Sequence, residues 1–345
     1  MKKKLLGWGG AGMLLLVLSL VISLSMGSAR LPISDVWLIL LHHIPVLGDW
    51  VHPTWPDSSE QIVLKVRFPR IMLGILVGAA LSLAGAGYQG VLRNPLADPY
   101  TLGVASGASV GAAFLILFGL QFALFGQWTV PMVAFVTGLV SLWIVFRLAN
   151  FNGKFQLETI ILSGVVVSAF LGAIVSFMVS MSNRVVNEIL FWLMGSLALR
   201  GWKFTGVVLP YLILGFIVLV MYSRSLNLFA LGERQAAHLG VPVERTKKII
   251  LIFSTLLTAA AVSVSGVIGF VGLITPHLVR LLVGPDYRLI IPLSMIAGGI
   301  YVLWADTIAR MALSPTEIPL GVVTAFLGAP FFAYLLSKHK KTLRG

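Results

Sequence analysis

Apolar residues along this chain come in long continuous runs, each about the length a helix needs to cross the hydrocarbon core of a bilayer. The runs predict spans at about 8–26, 69–92, 102–120, 129–149, 159–181, 204–223, 246–267, 268–283, 289–311 and 317–337. The stretch 246–283 is too long for one crossing and must fold back near Gly269 and Gly272. A β-barrel would show short alternating segments instead. The pattern therefore predicts an all-α polytopic membrane protein of about ten transmembrane helices, residues 1–345 forming a single transmembrane domain.

Composition sharpens this reading. Of 345 residues 58% are hydrophobic and only 11% charged, and the mean hydropathy is +0.97. With no cysteine, disulfides, zinc–thiolate clusters and thiol nucleophiles are excluded. The net charge of +13 is better explained by basic cytoplasmic loops than by nucleic acid. With Lys2–Lys4 inside, an even number of spans puts both termini in the cytoplasm. That topology leaves 17 of the 25 Lys and Arg residues inside. The basic, apolar start, with small residues near Ser28 and Ala29, also resembles a signal peptide; a retained first span, with Arg30 outside, is preferred because so many spans follow.

Arg67, Arg70 and Arg310 fall outside, against the charge bias. Topology alone leaves two roles open: anchoring helix ends at the interface, or meeting an acidic partner. Asp306 and Arg310 stand i, i+4 and are expected to pair on one helix face. AALSLAG at 79–85 recurs as AAVSVSG at 260–266, and the same offset carries Pro95 onto Pro276, which suggests an inverted repeat of the transporter kind. GWGGAG and GAGYQG follow no strand, so neither reads as a nucleotide site. RNPLADPY at 93–100 reads as a proline-marked turn. His42, His43 and His52 fall in an outer loop, where solvated histidines are the ordinary case.

The inner loop 224–246 is too long for a plain connector. It reads as two short helices, with Ser225 or Asn227 capping the first, Gly232 breaking the pair, Glu233 opening the second and Gly240–Pro242 closing it. Leu231, Ala236 and Leu239 form a small apolar face. The loop either lies on the lipid surface or projects as a rigid lug. Gly164, Ser168, Gly172 and Ser176 are spaced four apart on span five, giving one smooth face for a passage or for helix packing.

Several segments in order (RFPR, AGAGYQGVLRNPLADPYTLGVASGASVGA, LNLFALGERQAAHLG, GFVGLITPHLVRL, ADTIAR and PLGVVTAFLGAP) make the chain resemble the FecCD family over roughly residues 10–337. These are permease subunits of type II ABC importers for vitamin B12, haem and ferric siderophores. The resemblance implies an inverted-repeat fold and a homodimer in the bacterial cytoplasmic membrane. Its central pore would be flanked by span five and by residues 319–330. It implies that two ATPase subunits, which hold the ATP and magnesium, dock on Leu231, Gly232, Glu233, Ala236, Leu239 and Gly240. It implies that a substrate-binding protein docks outside on Arg67, Arg70 and Arg310. No catalytic residue, metal or cofactor is expected in this chain. An ion-coupled secondary transporter is the rival reading; it would need acids in mid-membrane.

Overall fold

A computed structural model describes residues 2–27, 29, 31–45, 48–151 and 154–342. Ser28, Arg30, Asn152, Gly153 and Arg344 lie outside the described residues. The helices are α1 (Lys2–Ser25), α2 (Ile33–His42), α3 (Asp57–Gln61), α4 (Phe68–Leu92), α5 (Val104–Leu117), α6 (Thr129–Ala149) and α7 (Leu157–Met181). They continue with α8 (Val186–Leu193), α9 (Trp202–Phe229), α10 (Glu233–His238), α11 (Val243–Ser265), α12 (Val271–Val283), α13 (Tyr287–Met311) and α14 (Leu320–Thr342). Asn150–Phe151 and Lys154–Phe155 pair as a two-residue antiparallel hairpin.

Each of the ten expected spans falls on a helix, but they are not equal. Among the described residues seven helical segments are long and apolar enough to cross a membrane, whereas α5 and α12 are shorter. At 1.5 Å per residue the 13 residues of α12 reach about 20 Å, short of a hydrocarbon core of about 30 Å. Non-helical chain at membrane depth is tolerated only where protein covers it. The fold-back between α11 and α12 lies at Gly266 and Phe270, with φ of 70° and 69°, not at Gly272. α2, α3 and α8 were not expected from the hydrophobic runs.

α4 is the axis of the bundle. Every residue from Leu76 to Leu92 is buried, as suits a helix that is apolar all round. Its small residues explain how so many neighbours fit. Gly78 meets the backbone of Gly298 on α13, and Gly85 meets the backbone of Gly272 on α12, so closely that a Cβ at either position would overlap a carbonyl. Gly272 is thus a packing residue, not a turn. Such close approach is how helices associate in lipid, where dispersion contacts replace the hydrophobic drive. Likewise Gly107 and Gly111 of α5 lie against Thr137 and Ser141 of α6, and Ser141 donates to the Gly103 carbonyl at 2.9 Å.

The repeated segment lies on α4 and α11, which run in opposite directions: Arg93, just past the end of α4, and Lys247, near the start of α11, both meet Glu233. Local structure does not follow the repeat, however. Gly85 is inside α4 and Gly266 terminates α11; Pro95 is in a turn and Pro276 inside α12.

Gly85→Val is expected to cost about 3 kcal/mol through overpacking against Gly272. Gly206→Ala, in open space on α9, should be neutral or stabilising by up to about 1 kcal/mol. Thermal unfolding of both variants in the same detergent checks the contrast.

Candidate functional site

Two polar clusters stand at opposite ends of α4. A helix of 25 residues separates them by about 37 Å.

At the first end a π-helical turn, Ile62–Arg67, leads into α4 with Pro69 in its first turn. This places Arg67 and Arg70 toward the end of α13 that carries Asp306 and Arg310. All three arginines are inside the protein, 4–7% exposed. Arg70 donates to Asp306 at 2.9–3.2 Å and to Glu317 at 2.8 and 2.9 Å. Arg310 Nε lies 3.0 Å from Asp306 Oδ2, an ion contact rather than an aligned hydrogen bond. The other nitrogens of Arg310 reach Ser23 Oγ at 3.1 Å and the Met26 carbonyl at 3.3 Å. Arg67 donates to the carbonyls of Leu24 and Ala29. The i, i+4 pairing of Asp306 with Arg310 is present, and it is one edge of a larger network. Two guanidinium groups, those of Arg70 and Arg310, meet the two carboxylates, of which Glu317 is the more accessible, and Arg67 stands beside them on backbone carbonyls. The arginines are therefore not a free outer patch: any partner must meet them through this cage.

At the second end, α9 runs unbroken to Phe229, so the first of the two expected short helices is the end of α9, and neither Ser225 nor Asn227 caps a helix. Asn227 instead braces α9 to α13: it donates to Asp286 Oδ1 at 2.7 Å and accepts from the Tyr287 N–H at 2.8 Å. Hydrogen bonds from Arg288, ahead of that from Asn227, hold the Asp286 carboxyl at about 2. Gly232 (φ 107°) and Gly240 (φ 85°) bracket α10 in conformations that L side chains avoid. Glu233, at the first turn of α10, accepts from Lys247 at 2.8 Å and lies 3.7 Å from Arg93. Lys247 is buried and also meets Glu244 at 3.1 Å. Ala236 is buried, whereas Leu231 and Leu239 are 59% and 60% exposed. α10 is thus tied to α4 and α11 while showing two leucines outward.

The four-residue stripe on α7 does not form one open face. Gly164 is packed against Thr101 and Leu102, and Ser168 lies beside Gly103. Gly172 faces open space and Ser176 is exposed, its hydroxyl bonded to the Gly172 carbonyl at 3.0 Å. The widely exposed face of α7 is a different one, carrying Leu162, Val166, Phe170 and Phe177.

Non-helical chain meets near the starts of α12 and α14. Ser196 N–H donates to Ser265 at 2.7 Å, Gly321 N–H to Met194 at 2.9 Å, and Ile268 exchanges both backbone groups with the Tyr100 hydroxyl at 2.8 and 3.1 Å. A cleft of about 620 Å³ opens beside this junction, lined by Met194, Val267, Gly269, Gly321, Phe326 and other apolar groups. Gly321, Val322, Ala325, Phe326, Ala329 and Pro330 of this lining fall in the 319–330 segment that the family resemblance implies beside a pore, whereas no sequence pattern marked Leu193 or Met194.

Comparison with known proteins agrees with this architecture. The description "FecCD transport family" matches residues 15–338. This chain belongs to the FecCD transport family. A FecCD relative, the cobalamin import permease BtuC of Halobacterium salinarum, is 45% identical over 281 residues, covering 81% of this chain and 74% of that protein. The molybdate import permease MolB of Haemophilus influenzae is 38% identical and covers 95% and 94% of the two chains. A solved metal-chelate type ABC transporter in an inward-facing conformation superposes with a TM-score of 0.81 at 35% identity, over 98% of this chain and all of that one. The FecCD chain is a multi-span permease subunit of an ABC-type importer.

Asp306→Asn removes a carboxylate from two buried guanidinium groups and is expected to cost about 3–5 kcal/mol. Glu317→Gln, at a more accessible acid, should cost about 1 kcal/mol or less. Thermal unfolding should rank the two in that order.

Proposed function

We propose that this permease works as a homodimer in the bacterial cytoplasmic membrane, both termini in the cytoplasm. A substrate-binding protein docks at the Arg67–Arg70–Arg310 end, and two ATPase subunits dock at the α10 end. The observation that carries the reading is the placement of an arginine-rich cage and a braced short helix, flanked by two exposed leucines, at opposite ends of one buried helix. ATP and magnesium belong to the ATPase; this chain does no chemistry on its cargo.

The cage holds one more cation than anions, so a carboxylate from outside completes it by joining Arg67 or displacing Glu317 from Arg70. Closure of the ATPase dimer moves α10, and the ties of Glu233 and Asn227 pass that motion to α4, α11 and α13. The open face of α7, with the cleft beside α14, forms the dimer surface and the passage. The cleft has no charged lining residue. A bare oxyanion would shed water there without replacement donors, whereas a large organic complex would be held weakly. We therefore propose a ferric siderophore, haem or corrinoid as cargo, despite the likeness to a molybdate importer. An ion-coupled mechanism is disfavoured because Asp306 is engaged by two arginines.

Leu231→Glu with Leu239→Glu should abolish co-purification of the ATPase while leaving the permease folded; retained assembly with normal transport would defeat the α10 interface. Arg67→Gln should slow association of the binding protein in nanodiscs by roughly tenfold at low salt, the difference shrinking at high salt. An unchanged rate and salt dependence would defeat docking at this end.

A further inference from the structure

The first helix carries a feature that the transport cycle does not use. Trp8, Ala11 and Leu15 of α1 form one wall of an almost wholly apolar cavity of about 230 Å³. Val283 at the end of α12, and Ile296 and Ile300 of α13, form the others. Residues 8, 11, 12 and 15 share a helix face, and one turn toward the N-terminus that face reaches Lys4. Leu5 packs against Val279, Leu289 and Leu293, so this turn of α1 does lie over the ends of α12 and α13. Lys3 and Lys4 are exposed, and no carboxylate among the described residues pairs with either. Trp8 is half-exposed at the rim, the depth at which indoles sit in a bilayer interface.

We infer that this groove binds one anionic diacyl phospholipid, an acyl chain lying between α1, α12 and α13 and the phosphate held by Lys3 and Lys4. Ordinary annular lipid wets the rest of α1, which is the least buried of the long spans. The groove differs in being concave and in ending under cationic groups, which attract anionic headgroups. The inference needs the chain to be membrane-embedded but does not depend on which side its termini face or on what it carries.

Native mass spectrometry of the full chain, titrated with dioleoylphosphatidylglycerol or dioleoylphosphatidylcholine, tests it. The wild type should retain one phosphatidylglycerol at least fivefold more tightly than phosphatidylcholine. Lys3→Gln with Lys4→Gln should remove the preference. Ala11→Phe, which fills the groove from an exposed helix position, should remove the tight site with the charges intact. Equal binding of the two lipids by the wild type, or a preference that survives in either variant, would overturn the proposal. Survival in Ala11→Phe would mean that net charge alone gathers the lipid.

Discussion

A helix enclosed on every side within a membrane has no solvent to satisfy it, and α4 is enclosed from Leu76 to Leu92. Its backbone is satisfied internally, and its neighbours come close because glycines at 78 and 85 let carbonyls pass without a Cβ between them. Polar side chains are admitted where they close on partners, as Tyr88 does on Thr255 at 2.5 Å and Ser82 on the Ser294 carbonyl at 2.6 Å. Charge is confined to the two ends. The arrangement makes α4 a stiff strut whose ends are held by ion pairs from other helices, so displacement at one end is felt by α11 and α13.

Much of this was legible in the sequence because membrane helices announce themselves by length and hydropathy. Each of the ten expected spans falls on a helix, seven of them long and apolar enough to cross a membrane among the described residues, and Asp306 with Arg310 was readable from i, i+4 spacing. What was not legible depends on contacts far apart in the chain. Nothing local tells Arg70 to seek Asp306 and Glu317, more than 230 residues away. The continuation of α9 was missed because its last turns, through Leu226 and Phe229, are buried by other elements, Leu226 against Gly90 of α4, where the sequence resembles a connector. The α7 stripe illustrates the reverse error: small residues at regular spacing predict close approach, but not to what. Gly164 approaches a turn in its own chain, while Gly172 approaches nothing.

The junction of non-helical segments was also hidden, although it shapes the cleft. Gly195, Gly266 and Phe270 all adopt positive φ. Gly195 and Gly266 press against each other's segments, and Phe270 lies on Gly328 of α14. Broken helices at membrane depth are characteristic of transport proteins because unwound backbone can line a path only where protein shields it. Here the shielding is mutual: the 193–196, 265–269 and 320–321 segments hydrogen-bond to one another or to Tyr100. If the cleft is the proposed passage, its backbone and apolar lining would contact a passing molecule without recognising it strongly, which fits relatives with differently named cargo sharing much sequence.

The cage at the arginine end imposes a trade between stability and recognition. Had each guanidinium its own carboxylate, the end of α4 would be sealed and indifferent to other proteins. Among the described residues Arg67 has only carbonyl oxygens as acceptors, and carbonyls stabilise a cation less than a carboxylate does. Glu317 is the acid most able to leave, being a third exposed while Asp306 is buried. The permanent pair, Arg70 with Asp306, therefore holds the helices together. The surplus charge on Arg67 and the exchangeable contact of Glu317 leave that end short of one anion. On the proposed docking, an incoming acidic side chain would gain both the uncompensated charge and the low-dielectric surroundings already assembled around it. Recognition placed in this way costs the fold little, because the residues that bear on stability are not the ones the partner must displace.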